Sequence, residues 1–130
     1  MIPYFEVFDM AASVTFYRDV LGFEQVFASP EVHTAEGRFS HFVRLSFENS
    51  DLFLNTAYDS NQRPQVRDEA RWRAHSDVAL YIDCADVDRL YLRIRERGLA
   101  IEPPVMTPYG TRAIHLRDPD GFGLNFSTRV

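Results

Sequence analysis

The residues of this chain with the plainest chemistry come in two matched sets. Tyr4-Phe5-Glu6-Val7 stands just ahead of Asp9, and Tyr81-Ile82-Asp83-Cys84 stands at the same remove ahead of Asp86. Sliding one aspartate onto the other pairs Tyr4 with Tyr81 and Glu6 with Asp83. Alternate side chains of an extended segment share a face, so each set presents an aromatic ring and a carboxylate together. Rings stack on flat guests, and a carboxylate beside a ring favours a cation. The expected ligand is a planar, cationic, aromatic small molecule.

The remaining reactive types are scattered. His33, His41, His75 and His115 show no i,i+2 or i,i+4 spacing that would put two on one element face. His41 and His115 fall on strand-like segments, and with Asp77 they could form a displaced metal site; otherwise each is hydrogen-bonded locally. The chain has no Ser-His-Asp order, nucleophile elbow or phosphate-cradling glycine loop. Cys84, the only cysteine, cannot form an internal disulfide and reads as an inert core residue on the helix-facing side of its strand.

The elements that must position these groups follow from periodicity. Residues 2–8 read as a strand, and Asp9 caps a helix whose Met10, Val14, Tyr17 and Leu21 recur at helical spacing until Gly22. Residues 23–28 and 39–47 read as strands separated by a polar loop with Pro30 and Gly37. A turn at Glu48-Asn49-Ser50-Asp51 leads into a strand over 52–55.

The second half repeats this order. Residues 79–85 form a strand, Asp86 caps a helix carrying Val87, Leu90, Tyr91 and Ile94, Gly98 ends it, and a strand over 99–102 is expected next. A hairpin then turns on Asp118-Pro119-Asp120-Gly121, where Pro119 presets one dihedral and Gly121 tolerates positive φ. Its second strand sets Gly123, Asn125 and Ser127 on one face and Leu124 and Phe126 on the other. Matching the closing strands of the two halves pairs Asn55 with Asn125.

The fold class is therefore α+β, two βαβββ modules over residues 1–56 and 77–130. Each helix covers one sheet face. The other faces carry Tyr4, Glu6, Asn55, Tyr81, Asp83 and Asn125. The polar, Arg-rich segment 57–76 between the modules is long enough to act as a flap, with a short helix around 68–74. Trp72, the only tryptophan, either anchors this segment on its own domain or serves as an aromatic lid. Arg63, Arg67, Arg71 and Arg73 form a solvated face balanced by Asp68 and Glu69.

Phe16-Tyr17-Arg18-Asp19-Val20-Leu21-Gly22-Phe23 and the Asp118-Pro119-Asp120-Gly121 turn, in that order and about 100 residues apart, resemble the vicinal-oxygen-chelate superfamily of glyoxalases, extradiol dioxygenases and bleomycin-resistance proteins. The resemblance covers nearly the whole chain and implies paired modules forming a curved mixed sheet around a cleft. It implies no single reaction. Enzymes of that superfamily hold a divalent metal with one ligand from the first and one from the last strand of each module. Those places fall here on Ile2, Asn55, Ala79 and Asn125, two alkyl groups and two neutral amides, which give a hard cation negligible affinity. No metal or other cofactor is expected. A two-residue slip on the fifth strand would bring in Asp77, and one carboxylate does not rescue the site.

Fold without metal ligands is similar to the bleomycin-resistance branch, which sequesters a drug without chemistry. Ile2-Pro3 and Tyr109-Gly110-Thr111-Arg112 match that branch as well. The resemblance implies ligand-binding residues among Tyr4, Glu6, Asn55, Trp72, Tyr81, Asp83 and Asn125, and a homodimer that exchanges its N-terminal strand. The alternative it leaves open is a metal-dependent lyase, isomerase or dioxygenase with displaced ligands.

Bulk properties agree. At 130 residues and 45% hydrophobic, the chain can bury a core without metal or disulfide staples. A net charge of −5 argues against a nucleic-acid partner and suits a cationic ligand. No basic-then-apolar leader or apolar run of membrane-spanning length appears, so a soluble, cytoplasmic protein without membrane contact is expected.

Overall fold

Both capping aspartates do what their sequence context requires. In the computed structural model, which describes residues 1–130, Asp9 is extended and accepts from the Ala12 amide at 3.1 Å. Asp86 accepts from the Arg89 amide at the same distance. Each cap satisfies an amide that the first helical turn would leave without a partner.

The chain divides into two compact units, Met1–Glu69 and Ala70–Val130. In the first, β1 (Tyr4–Val7) leads into α1 (Met10–Val14), and the helix then widens into a π-helical segment over Thr15–Val20. The regular helix expected as far as Gly22 is thus interrupted. Leu21 N–H donates to the Phe16 carbonyl at 3.1 Å, an i→i−5 bond. Gly22, at φ +89°, ends it. Tyr17 is fully buried and makes edge-on contacts with Phe16 and Phe23, at 5.3 and 5.2 Å, and Phe23 lies 5.0 Å from Phe47. These rings tie the helical segment to the sheet.

That sheet has the order β1-β6-β5-β2, built from β2 (Glu24–Ala28), β5 (Phe42–Phe47) and β6 (Ser50–Thr56); only the β1–β6 pair is parallel. The polar loop expected between its second and third strands contains a small hairpin of its own, β3 (Val32–Thr34) and β4 (Gly37–Phe39). Its turn is held from outside: Asn61 accepts from the Ala35 amide at 2.8 Å, and the Asn61 amide donates to Glu36 at 3.0 Å. Those partners lie 25 and 26 positions away, beyond the reach of local pattern reading.

The second unit opens with α2 (Glu69–Ala74), whose first residue closes the other unit, and a 3₁₀ turn at His75–Asp77. It continues with β7 (Ala79–Asp83), α3 (Val87–Glu96), β8 (Val105–Met106), β9 (Thr111–Arg117) and β10 (Gly123–Arg129), in a mixed sheet of order β7-β10-β9-β8. The strand expected over 99–102 does not form, and its place is taken by β8. Pro103 and Pro104 explain the delay, because neither has an amide to give a ladder. Leu124 and Phe126 are fully buried, as the alternation of the last strand requires. No helix is long and apolar enough to cross a membrane.

The two modules share their element order and the register of their parallel strand pair. Phe5 and Val7 correspond to Ile82 and Cys84, all four buried, so the superposition on the capping aspartates holds for the first strand of each module. Glu6 then lies beside Asn55, whereas its counterpart Asp83 lies beside Ser127. The pairing of Asn55 with Asn125 is therefore two residues out. Asn125 is the counterpart of Phe53, and Asn55 of Ser127.

The candidate ligand-binding faces

In the first unit the ladder sets the face away from α1 in rows. Tyr4, Phe53, Arg44 and Phe27 are successive cross-strand neighbours, and Glu6, Asn55 and Phe42 form the adjoining row. Their alternate neighbours Phe5, Val43, Leu45, Leu52 and Leu54 are buried. Period-two patterning thus leaves the aromatic and polar set on the open side. A cavity of about 430 Å³ lies here, walled by Phe27, Phe42 and Phe53. Phe42 is 6.0 Å from Phe27 and 5.1 Å from Phe53, both tilted.

The cavity's cation is already engaged. Arg44 donates through Nε and Nη2 to one oxygen of Asp51, the Nε contact being 2.9 Å, and its guanidinium stands 5.5 Å above the Phe53 ring. The Arg44 hydrogen bond, followed by one from Ser46, holds the Asp51 carboxyl below the usual aspartate value. A carboxylate stabilised in the folded state contributes above its unfolded pKa, and that contribution is lost as pH falls through the lower folded value. NMR titration of the Asp51 carboxyl carbon is expected to show a midpoint below 3.8. In Arg44→Gln it should move back up, and an unmoved midpoint would remove Arg44 as the cause.

In the second unit, Tyr81, Asn125 and His115 form one row, and Asp83 lies beside Ser127 in the next. Tyr81 is 81% exposed and Tyr4 52%, so both rings are available at the surface of their own unit. Asn125 Oδ1 pairs closely with His115 Nδ1. Trp72 has the Arg117 guanidinium 4.8 Å over its ring, and its backbone carbonyl abuts Gly121. The same stretch is joined to the turn by Arg71, which donates to Asp120 at 2.9 Å, and by His75, which donates to the Asp120 carbonyl at 2.7 Å and stacks 3.9 Å from Phe122.

These arrangements bear on the metal question. His41 shares Nδ1 with Thr56 Oγ1 at 2.5 Å and Nε2 with Ser60 Oγ at 2.9 Å, so both ring nitrogens are engaged by hydroxyls. Asp77 ends the 3₁₀ turn before β7, outside the strand onto which a slip would have placed it. No group of three or more His, Cys, Asp or Glu side chains could hold a metal ion. Ile2, Asn55, Ala79 and Asn125 offer two amides and no charged donor, so the residues at the expected ligand places do not fit a divalent cation.

Sequence reasoning placed Tyr4, Glu6 and Asn55 on this open side and missed Phe27, Arg44, Phe42, Asp51 and Phe53. The signal was present in Phe42-Val43-Arg44-Leu45-Ser46 and Asp51-Leu52-Phe53-Leu54-Asn55, whose odd members alternate with aliphatic core residues.

Comparison with known proteins agrees with this architecture. The model of the glyoxalase/bleomycin resistance protein/dioxygenase superfamily matches residues 5–126. No curated protein is recognisably similar in sequence. Among solved structures, TnmS3, an antibiotic-binding protein from Streptomyces sp. CB03234, is 24% identical, with 100% of this chain and 96% of that one covered at a TM-score of 0.67. TioX from Micromonospora sp. ML1 is 16% identical, over 99% and 98% of the two chains, with a TM-score of 0.74. Lactoylglutathione lyase from Agrobacterium tumefaciens is 21% identical, over 98% and 92%, with a TM-score of 0.65. Identities this low establish a shared fold.

Proposed function

Because the chain belongs to the glyoxalase/bleomycin resistance protein/dioxygenase superfamily, whose chemistry its fold does not fix, we propose that it is a small-molecule-binding protein that captures a planar, cationic aromatic compound without metal and without turnover. The observation that carries this reading is the open face of the first unit, where three phenylalanines wall a cavity of about 430 Å³ beside the row of Glu6 and Asn55. The cavity offers stacking surface, and its one arginine is neutralised by Asp51. Tyr4 extends the aromatic row, and Tyr81, Asp83 and Asn125 are the recognition groups of the second module. An antibiotic-binding protein among the structural neighbours is consistent with this use of the fold.

Calorimetry with N-methylacridinium and neutral acridine, flat rings that differ by one charge, tests the proposal. The cation is expected to bind about tenfold tighter, since a cation over a partly desolvated ring gains on the order of 1–2 kcal/mol. The Glu6→Gln, Asp83→Asn double variant should lose most of that preference, and added salt should weaken it. Equal binding of the two probes, or an unaffected double variant, would reduce the acids to a solvated rim. The competing reading is a metal-dependent lyase, isomerase or dioxygenase, and a near-stoichiometric divalent metal in the purified protein would favour it.

We further propose a homodimer that exchanges its N-terminal strand. Each sheet ends in edge strands, Val105 and Met106 on one of them are exposed, and Pro3 suits a redirected strand. Sedimentation at micromolar concentration is expected to give twice the 15.1 kDa chain mass. A lone 15.1 kDa species would exclude the dimer.

A further inference from the structure

The first unit has a second cavity, of about 290 Å³, on the helix-covered side of its sheet. Its apolar lining comes from Met10 and Val14 of α1, Phe39 of β4 and Val43 of β5, and three charged residues line it as well, the cations Arg18 and Arg38 and the carboxylate Glu31, whose place at Arg38 an incoming acid would take. Two further features single it out. The α-helix gives way to the π-helical segment where the cavity begins, with Val14, Thr15 and Arg18 all among its lining residues. A π turn is rare and tends to persist at functional sites, because it re-aims side chains that a regular turn would place elsewhere. The partners of both arginines are also surface carboxylates: Asp19 accepts from Arg18 Nε at 2.9 Å, and Glu31 lies 3.4 Å from Arg38. All four of these side chains are roughly half exposed or more. An incoming carboxylate can exchange with such partners at little cost, since exposed pairs are weak.

We propose that this cavity binds a small amphipathic carboxylate, with its hydrocarbon part against Met10, Val14, Phe39 and Val43 and its head group at Arg18 and Arg38. Apolar burial supplies the non-directional part of the affinity, and the planar guanidinium donors select an oxyanion over a hydroxyl. The site is independent of the aromatic face, which lies on the other side of the sheet and favours the opposite charge.

The test is an amide chemical-shift titration with hexanoate and with 1-hexanol, on the wild type and on the Arg18→Gln, Arg38→Gln variant. Hexanoate is expected to give saturable shifts at Thr15, Arg18, Phe39 and Ser40, and to bind about tenfold tighter than hexanol. The variant should bind hexanol as before and lose the preference for hexanoate. The proposal is overturned if no saturable shift appears, if shifts gather at Phe27, Phe42 and Phe53, if the alcohol binds as well as the acid, or if the variant keeps the preference. The acridinium experiment reads the opposite face of the sheet with a cation, so the two sites fail or stand separately.

Discussion

Replacing Gly121 with alanine is expected to destabilise the protein by about 3 kcal/mol, far more than one methyl group at a surface turn would suggest. Gly121 sits at φ +90°, where an L side chain is strained. A Cβ built there would come within 2.2 Å of the Trp72 carbonyl oxygen and 3.0 Å of its carbon. Both atoms are backbone, so no rotamer change relieves the overlap; α2 or the turn must move. Gly98→Ala is the control, because it has nearly the same φ, +88°, and nothing within 4 Å of the added carbon. It should cost only the conformational part, about 1 kcal/mol. Urea denaturation followed by the fluorescence of Trp72, the sole tryptophan, gives both numbers. If the two losses are equal, α2 yields freely and is not clamped to the turn.

Tyr17→Ala should cost about 3–5 kcal/mol, the range for deleting a fully buried aromatic side chain. Tyr17 has no exposed surface and is flanked by Phe16 and Phe23, and through Phe23 it reaches Phe47. Its loss empties the place where the π-helical segment meets the sheet. Tyr17→Phe retains the ring contacts and should cost far less, about 1 kcal/mol, the typical cost of removing one buried hydroxyl. Differential denaturation of the two variants separates ring from hydroxyl. A loss below 1 kcal/mol in Tyr17→Ala would mean that the segment is anchored elsewhere.

What could be read from the sequence is what local chemistry decides. Asp9 and Asp86 cap helices because their carboxylates reach amides three positions on. Asp118 closes the hairpin by accepting from the amides of Asp120 and Phe122, both at 2.9 Å. The alternation of Leu124 and Phe126 with Gly123 and Asn125 fixes which side of β10 is core. Failures arose where a distant partner decides. The β3–β4 hairpin needs Asn61, the π segment forms within tertiary packing around Tyr17, and β8 begins only after two prolines that a scan for apolar alternation passes over. The wall of Phe27, Phe42 and Phe53 appears only when the ladder is known, since each ring comes from a different strand. Tyr4 and Glu6 were legible because one short strand carries both.

The common register of the two modules has a consequence for descent. Tyr4 and Tyr81 lie beside Phe53 and Asn125, and Glu6 and Asp83 beside Asn55 and Ser127. The inward residues that alternate with these neighbours, Leu52 and Leu54 in one half and Leu124 and Phe126 in the other, are all buried and aliphatic or aromatic. Because the pleat sends successive side chains to opposite faces, an exchange at an outward position leaves the interior untouched. Selection for folding is nearly blind to such a step. If the halves arose from one duplicated ancestor, outward exchanges alone let twin modules acquire unlike binding surfaces on one ladder, a route to new ligands that leaves no mark on the hydrophobic pattern.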